Sequence, residues 1–217
     1  MTTTMTDLAL VHVDPHWIIV NKPSGLLAVP GRGADKQDCL SSRVQQEYPD
    51  ALIVHRLDMA TSGLMVLARG LEAQRTLSAA FANRLVYKSY TAVVSGTLAA
   101  EYADWQTIDL PIQVDWPNRP LRIIEPLHGK PSVTRIRTIH ADSVHNTTRV
   151  ALEPVTGRSH QLRVHLRAIG HPILGDALYA PAPVLALSER LLLHATALHL
   201  PHPVHGNTMD FESAPAF

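Results

Sequence analysis

The sequence predicts an α+β fold. Runs of apolar and β-branched residues bounded by turn residues, as at 17–21 and 64–68, are typical of strands. Two or three segments, among them 71–84, have the length and apolar periodicity of helices. Strands and helices do not alternate regularly along the chain, as they do in folds built on a parallel sheet. We therefore expect many strands and few helices.

The composition indicates a compact globular protein of 217 residues, a length that fits one domain. Hydrophobic residues make up 46% and charged residues 18%, which favours a packed core and argues against disorder. No apolar run is long enough to span a membrane, and residues 1–7 lack the basic residues of a secretory signal. The single cysteine, Cys39, excludes an internal disulfide and fits a reducing compartment. We therefore expect a cytoplasmic protein.

Basic residues are concentrated in the middle of the chain, although the formal net charge is zero. Residues 119–167 contain nine Lys or Arg and three Asp or Glu, and both flanking segments are acidic on balance. A localised basic face would bind phosphate groups such as those of a nucleic acid. Arginines scattered over a solvated surface would give the same count, so both interpretations stay open.

The first half of the chain contains one predicted helix with a clear start and end. Asp38 is placed to cap a helix that runs to about Tyr48 and is ended by Pro49. The other predicted elements of this half are the strand 17–21 with its turn 22–25, the strands 52–54 and 64–68, and the helix 71–84, whose Leu77 and Phe81 face the core.

In the second half, the turn 115–120 contains two prolines, which prevent regular strand pairing. The turn at Thr156-Gly157 leads to a helix from about Ser159. We expect Leu162 and Leu166 on the apolar face of this helix, and Arg163 and Arg167 together on another. The predicted strands of this half are 86–96, 132–140, 147–153 and a last strand from 191.

A polar loop with one acidic residue lies between the predicted strands 52–54 and 64–68. Small and polar residues dominate positions 58–63, and these residue types form turns. The loop therefore holds Asp58 between two core strands, where burial of a lone carboxylate is costly. Asp58 is then either a turn residue that caps the backbone or a paired, functional carboxylate.

The string His-Arg-Leu-Asp-Met-Ala-Thr-Ser-Gly-Leu at 55–64, followed by an apolar strand, resembles the signature of the RluA-type pseudouridine synthases. The resemblance continues, in the family's order, from about Trp17 to near the C-terminus. It implies the family's fold, a mixed and largely antiparallel sheet with flanking helices. The further matching elements are Asn-Lys-Pro-Ser-Gly-Leu at 21–26, Lys-Ser-Tyr at 88–90, Thr-Gly-Arg-Ser-His-Gln-Leu-Arg at 156–163 and His-Pro-Ile-Leu-Gly-Asp at 171–176.

The resemblance implies that Asp58 is the essential catalytic residue and that Tyr90 and Arg163 lie in the active site. Arg163 is expected to pair with Asp58 and keep it ionised, because an adjacent guanidinium lowers the pKa of a carboxylate. Tyr90, which could otherwise be a tyrosine packed in a sheet, is expected to contact the base and transfer a proton. Arg56 is expected to enter the RNA and fill the space of a flipped uridine. Further RNA contacts are expected from His55, Thr61, Arg119, Arg158 and His160.

The implied reaction converts uridine to pseudouridine in RNA. It requires no redox change, metal or group donor, so we expect no cofactor. The turn Asp-Trp-Pro-Asn-Arg-Pro at 115–120 and the short chain are most similar to the dual-specificity member that acts on stem-loops of large-subunit ribosomal RNA and transfer RNA. We expect residues 1–16 to be an extension too short for an S4-type RNA-binding domain. Residues 17–217 are then a single catalytic domain that acts as a monomer on RNA, away from membranes.

Three alternatives remain at this point. The 13 histidines suggest metal binding, but His160 and His165 are five residues apart, not four as on a zinc-binding helix. A hydrolase with Asp58 as nucleophile lacks a recognisable partner acid. A non-catalytic RNA-binding module of the same fold would not need Asp58, Tyr90 and Arg163 together, and an activity assay distinguishes it.

Overall fold

The computed structural model describes residues 8–217, which form two compact units. The first unit runs to Tyr87 and includes Ala195–Ala214, and the second comprises Lys88–His194 and Pro215–Phe217. The prediction that residues 1–7 are not a secretory signal concerns a segment that lies outside the described residues. The expectation of one catalytic domain from residue 17 stays a prediction.

Strands outnumber helices throughout the described chain, which confirms the α+β fold class. The helices are α1 (Leu40–Glu47), α2 (Gly70–Ala82), α3 (Gln161–Ala168) and the short α4 (Ala182–Leu185). The strands are β1 (Leu10–Val13), β2 (Trp17–Lys22), β3 (Ala51–Ile53), β4 (Ser62–Arg69), β5 (Tyr87–Ser95), β6 (Gln106–Asp109), β7 (Ile112–Val114), β8 (Arg122–Ile124), β9 (Val133–Asp142), β10 (Thr147–Pro154), β11 (Leu193–Pro201) and β12 (Thr208–Glu212).

In the first unit, β4 is a central strand. It pairs antiparallel with β2 along its whole length, and its last residues also pair antiparallel with β3. β1 extends the sheet beyond β2, and β12 pairs with β11. The five residues of 64–68 are completely buried, and α2 covers the face of the sheet that carries Leu64, Val66 and Ala68. Alternate residues of β2 and β4 pack there against Ala73, Leu77 and Ala80 of α2.

In the second unit, β5, β10, β9 and β6 form an antiparallel sheet in that order. β7 and β8 form a separate two-stranded hairpin around the predicted turn 115–120. Ile112 of β7 packs against Val164 of α3 and Tyr179, with Ile124 of β8 beside them. The hairpin and the helix therefore share one small apolar core.

The predicted cap of α1 is wrong. The helix begins at Leu40, and Cys39 is its N-cap, with its Sγ accepting from the Ser42 amide at 3.4 Å. The Leu40 amide donates to the Leu27 carbonyl at 2.8 Å, so an earlier loop fixes where the helix begins. Asp38 instead forms an exposed bidentate ion pair with Arg43, both bonds being 2.7 Å.

Two further boundaries differ from the prediction. α3 begins at Gln161 and not at Ser159, because His160 has a left-handed backbone with φ of 59°. Its arginines do not share an environment, since Arg163 is buried and Arg167 is exposed. The strand predicted from 191 begins at Leu193 as β11 and is followed by one more strand, β12. No helix in the described part of the chain has both the length and the apolar character of a membrane span.

Candidate active site

Asp58 lies on the loop between β3 and β4, as predicted. Its side chain is partly exposed, whereas Leu57 before it is buried and Met59 after it is exposed. The Asp58 carbonyl accepts from the Thr61 amide at 3.1 Å, which closes a turn directly after the carboxylate. The loop thus anchors itself through Leu57 and leaves the acid within reach of a substrate.

A second segment of the first unit holds this loop in place. Lys22 is completely buried, and its Nζ donates to the carbonyl oxygens of Pro23 at 2.9 Å, Leu26 at 2.8 Å and Met59 at 3.0 Å. The ammonium therefore joins the turn after β2 to the residue that follows Asp58. Sequence reasoning missed this role. The available signal was a lysine placed directly after an apolar strand and before a proline, where burial requires several acceptors.

Two more hydrogen bonds complete this clamp. The Gly25 amide donates to the Met59 carbonyl at 2.9 Å, and the Ser24 hydroxyl donates to the Ala60 carbonyl at 2.7 Å. Gly25 has a φ of 87°, a backbone conformation that glycine adopts without strain. The Asn-Lys-Pro-Ser-Gly element thus works as a scaffold for the Asp58 loop.

The exit from the loop depends on Gly63. Its φ is 114°, and a Cβ at this position would overlap with the backbone of Ala195. Thr61 and Ser62, which precede it, are buried. The RNA contact expected from Thr61 stays a prediction, and its observed surroundings are those of a packed turn.

His55 is held by the core of the first unit. Pairing of β3 with β4 ends at Ile53↔Leu67, and the Val66 amide donates to His55 Nε2 at 3.0 Å. The imidazole also stacks on Phe81 of α2, with the ring centroids 4.5 Å apart. These contacts give His55 a positioning role for the loop, and its RNA contact stays a prediction. Arg56 beside it is exposed.

In the second unit, the Arg163 guanidinium forms a buried bidentate ion pair with Asp176. Arg163 Nε lies 2.8 Å from Oδ2, and a terminal nitrogen lies 2.5 Å from Oδ1. Arg163 is 4% exposed and Asp176 is 0% exposed. The ring of Tyr179 also lies against the guanidinium, 5.1 Å from centroid to Cζ. The buried pair fixes the position of the arginine head group.

Asp176 is a site residue that sequence reasoning missed. Besides the ion pair, its Oδ1 accepts from the amides of Leu178 at 3.0 Å and Tyr179 at 3.2 Å. It follows Gly175, which has a φ of 70° and no room for a Cβ beside the Arg190 carbonyl. A carboxylate directly after an apolar run and a glycine was the available signal, since such a position is buried only when paired.

Tyr90 lies in β5, where it pairs with Leu152 of β10, and it is partly buried. Lys88 lies two residues earlier and therefore on the same face of the strand. Burial lowers the pKa of Lys88 below its usual value of 10.5. Its Nζ comes within 3.8 Å of the place where a Cβ on Gly157 would lie. The Lys-x-Tyr and Thr-Gly-Arg elements thus meet within the second unit.

The other candidate RNA-binding residues of the second unit have separate surroundings. Arg119 is exposed and stacks on Trp116, with Cζ 4.3 Å from the indole centroid. Arg158 is exposed, and its Nε donates to the Pro131 carbonyl at 3.4 Å. His160 Nδ1 lies 2.6 Å from the Tyr179 hydroxyl.

The predicted site residues fall into two groups. Asp58, Arg56, His55 and Thr61 belong to the first unit, and Tyr90 and Arg163 belong to the second with the remaining candidates. The pairing of Arg163 with Asp58 stays a prediction. Within its own unit, the guanidinium is already fixed by Asp176, so it is pre-organised for a further anionic partner.

The clamped Asp58 loop lies within a segment that matches a family of RNA-modifying enzymes. Residues 16–168 match the RNA pseudouridylate synthase family. The chain belongs to this family and is an RNA pseudouridine synthase, an isomerase.

Individual relatives agree with this membership. The chain is 47% identical over 209 residues to the dual-specificity RNA pseudouridine synthase RluA of Escherichia coli K12, which covers 96% of this chain and 93% of the relative. It is 50% identical over 198 residues to RluA of Vibrio vulnificus, covering 89% and 78% of the two chains. Among solved structures, human RNA pseudouridylate synthase domain containing 1 has a TM-score of 0.81 at 26% identity and covers 100% of this chain and 87% of its own.

Proposed function

We propose that this enzyme has dual specificity and modifies uridines in stem-loops of both large-subunit ribosomal RNA and transfer RNA. The observation that carries the proposal is the 47–50% identity over most of the chain to relatives named for dual specificity. The Asp-Trp-Pro-Asn-Arg-Pro turn between β7 and β8 supports the same subgroup. The enzyme acts as a monomer in the cytoplasm, a reducing compartment that the single buried Cys39 fits.

Asp58 is the catalytic residue of the reaction. The C–N bond between ribose and uracil breaks, the uracil turns, and a C–C bond forms in its place. The carboxylate adds to the uracil ring, adds to the anomeric carbon, or assists elimination to a glycal. Each route needs an ionised carboxylate in a fixed position. The clamp from Lys22, Ser24 and Gly25 supports this requirement because it holds the residues that follow Asp58.

Arg163 and Tyr90 assist the acid. The Arg163 guanidinium stabilises the ionised form of Asp58, and its bidentate bonds to Asp176 keep it oriented for that contact. Tyr90 packs against the uracil, and its hydroxyl moves a proton late in the reaction.

The target uridine is flipped out of the RNA stack, because its reacting atoms are inaccessible in a helix. Arg56 fills the vacated space. Its exposure beside Asp58 in the sequence supports this role, since a planar guanidinium can stack on bases and contact phosphates. RNA loops are the preferred targets because unpairing them costs least.

The test is conversion in vitro with purified enzyme and two unmodified transcripts, a large-subunit ribosomal RNA domain and a pool of transfer RNAs. Pseudouridines are mapped at single-nucleotide resolution, with Asp58→Asn as the inactive control. Dual specificity predicts at least one modified loop uridine in each RNA, absent with the variant. Modification of only one RNA class would refute dual specificity, and no modification of either would refute the proposed substrates.

A further inference from the structure

A cavity of about 570 Å³ lies in the second unit, between the β7–β8 hairpin and residues 157–159. Pockets of roughly 300–1,000 Å³ accommodate small molecules, and a nucleotide falls in this class. Ile112 and Val114 of β7 provide apolar lining. The candidate catalytic residues Asp58, Tyr90 and Arg163 do not line this cavity, so it is distinct from their immediate surroundings.

The polar lining of the cavity is basic. Arg122, His128, Lys130 and Arg158 all contribute to it, and no acidic residue is among the described residues that line it. The side-chain hydrogen bonds of Arg122 go to the carbonyl oxygens of Pro120 and Leu121, and that of Arg158 goes to a carbonyl as well. Their charges are therefore not neutralised by carboxylates. A cavity of this kind attracts a phosphate group.

Trp116 adds an aromatic surface to the same cavity. Its side chain is 61% exposed, which is unusual for tryptophan, and Arg119 stacks against its ring. Exposed indole rings beside arginines are typical stacking surfaces for nucleic-acid bases. Phosphate-binding cations and a base-stacking ring thus occur at one place.

Gln113 of β7 also contributes to the lining of the cavity. It is an uncharged residue beside the basic side chains, so it adds no negative charge that would repel a phosphate group.

The cavity is connected to a catalytic element within the second unit. Gly157 lines it, and Lys88 Nζ approaches Gly157 from the strand face that also carries Tyr90. Through Gly157, the cavity therefore lies next to the Lys-x-Tyr element of β5.

We propose that this cavity binds one nucleotide of the substrate RNA other than the target uridine. Its phosphate lies between Lys130 and Arg158, and its base stacks on Trp116. The inference rests on the proposed function, because it takes RNA as the substrate. It adds a nucleotide-reading subsite to the β7–β8 hairpin.

The test combines protein variants with abasic RNA. A fluorescent stem-loop RNA that wild type modifies is titrated with protein in the Asp58→Asn background, so that turnover does not interfere. Trp116→Ala should weaken binding roughly 5- to 150-fold, the range for loss of one base stack. Lys130→Ala should reduce the slope of log K against log salt by about 0.7–0.9, as expected for one lost phosphate contact.

Matched controls lie in the same unit. Trp105 also carries stacked arginines but does not line the cavity, and Arg167 is an exposed arginine on α3 outside it. Trp105→Ala and Arg167→Ala should leave affinity and salt slope within about two-fold of the parent, as surface changes usually do. Thermal melting checks that each variant is folded. If Trp116→Ala does not fold, Lys130→Gln replaces it as the cavity variant, because Lys130 is exposed.

The decisive arm is a coupling measurement. Loop positions of the RNA are made abasic one at a time, and each RNA is tested against the parent and Trp116→Ala. At one position other than the target, an abasic site should weaken binding to the parent protein. The same abasic site should not weaken binding to Trp116→Ala, because the base and the ring form one contact. An active enzyme with no coupled position, or with cavity variants that bind like the parent, refutes the subsite alone. If the enzyme modifies only one RNA class, coupling at a non-target position of that RNA supports the subsite while the proposed dual specificity fails.

Discussion

The Asp58 loop of the first unit and the Arg163 helix of the second hold their charged groups in opposite ways. The loop around Asp58 is fixed by hydrogen bonds to its main-chain carbonyl oxygens, and the carboxylate stays partly exposed. Arg163 is fixed by a buried ion pair through its own charged group. The first arrangement holds the residue through backbone atoms of its loop. The second immobilises the functional group itself.

This difference separates function from stability. The loop that carries the Asp58 carboxylate is supported through its backbone atoms. A buried arginine would be costly without a counter-ion, so Asp176 is part of the fold as well as of the site. We therefore expect changes at Asp58 to affect activity with little effect on folding, and changes at the Arg163–Asp176 pair to affect both.

Asp58→Asn should have the largest effect on activity. The amide is nearly isosteric with the carboxylate but is not a nucleophile. We expect pseudouridine formation to fall roughly a thousand-fold or more, a size typical for loss of a catalytic group. The free energy of unfolding should change by less than about 0.5 kcal/mol, as for partly exposed positions. Single-turnover assays and urea titration measure the two quantities, and an active Asn variant would remove Asp58 from the catalytic role.

Breaking the buried ion pair should have the largest effect on stability. Asp176→Asn or Arg163→Met strands a buried charge and should lower the free energy of unfolding by roughly 3–5 kcal/mol. Urea titration measures the loss. In the double variant Arg163→Met, Asp176→Leu part of it should return, because no charge is left unpaired, although the Leu178 and Tyr179 amides lose their acceptor. The exposed pair of Arg43 and Asp38 is the control, and Arg43→Met should change stability little because water screens that pair. Equal losses at both pairs would contradict the comparison.

Lys22→Met tests the clamp on the Asp58 loop. Methionine keeps most of the volume but leaves the Pro23, Leu26 and Met59 carbonyl oxygens without their shared donor. We expect a loss of roughly 2–4 kcal/mol in the free energy of unfolding. Activity measured where the variant is still folded should also fall, because Met59 is next to Asp58. Lys36→Met, at an exposed lysine of the same unit, is the control. Full activity in folded Lys22→Met would limit Lys22 to stability.

His165 gives the smallest effect, a pH dependence of stability in the second unit. It is buried, its Nε2 is 2.9 Å from the Leu110 carbonyl, and its Nδ1 is 2.9 Å from the Thr134 hydroxyl. Burial lowers its pKa below the usual 6.5, so the folded state binds fewer protons than the unfolded state. Stability is therefore complete above about pH 6.5 and falls as the pH decreases, by at most about 1.4 kcal/mol per pH unit for one proton.

Urea titrations between pH 7.5 and pH 5 compare wild type with His165→Gln and with His140→Gln, an exposed control. The slope of stability against pH should become shallower for His165→Gln and should stay unchanged for His140→Gln. An unchanged slope in both variants would show that other groups determine the acid sensitivity.

Local patterns in the sequence determined many of the elements and the position of the acid. The continuous apolar run 64–68 predicted a buried strand, and β4 is completely buried there. The small and polar residues at 58–63 predicted the loop that carries Asp58. Both are short-range features, because side-chain periodicity and turn chemistry depend on residues only a few positions apart.

Only the tertiary structure decided which distant groups meet. Asp176 as partner of Arg163, the Met59 carbonyl as acceptor for Lys22, and Cys39 in place of Asp38 as helix cap all depend on where the chain folds back. The cavity beside β7 likewise needs the hairpin and residues 157–159 together. A buried charge requires a partner, and a charged residue beside an apolar run indicates this requirement in the sequence. Which partner satisfies it depends on packing across tens of residues, which local patterns do not constrain.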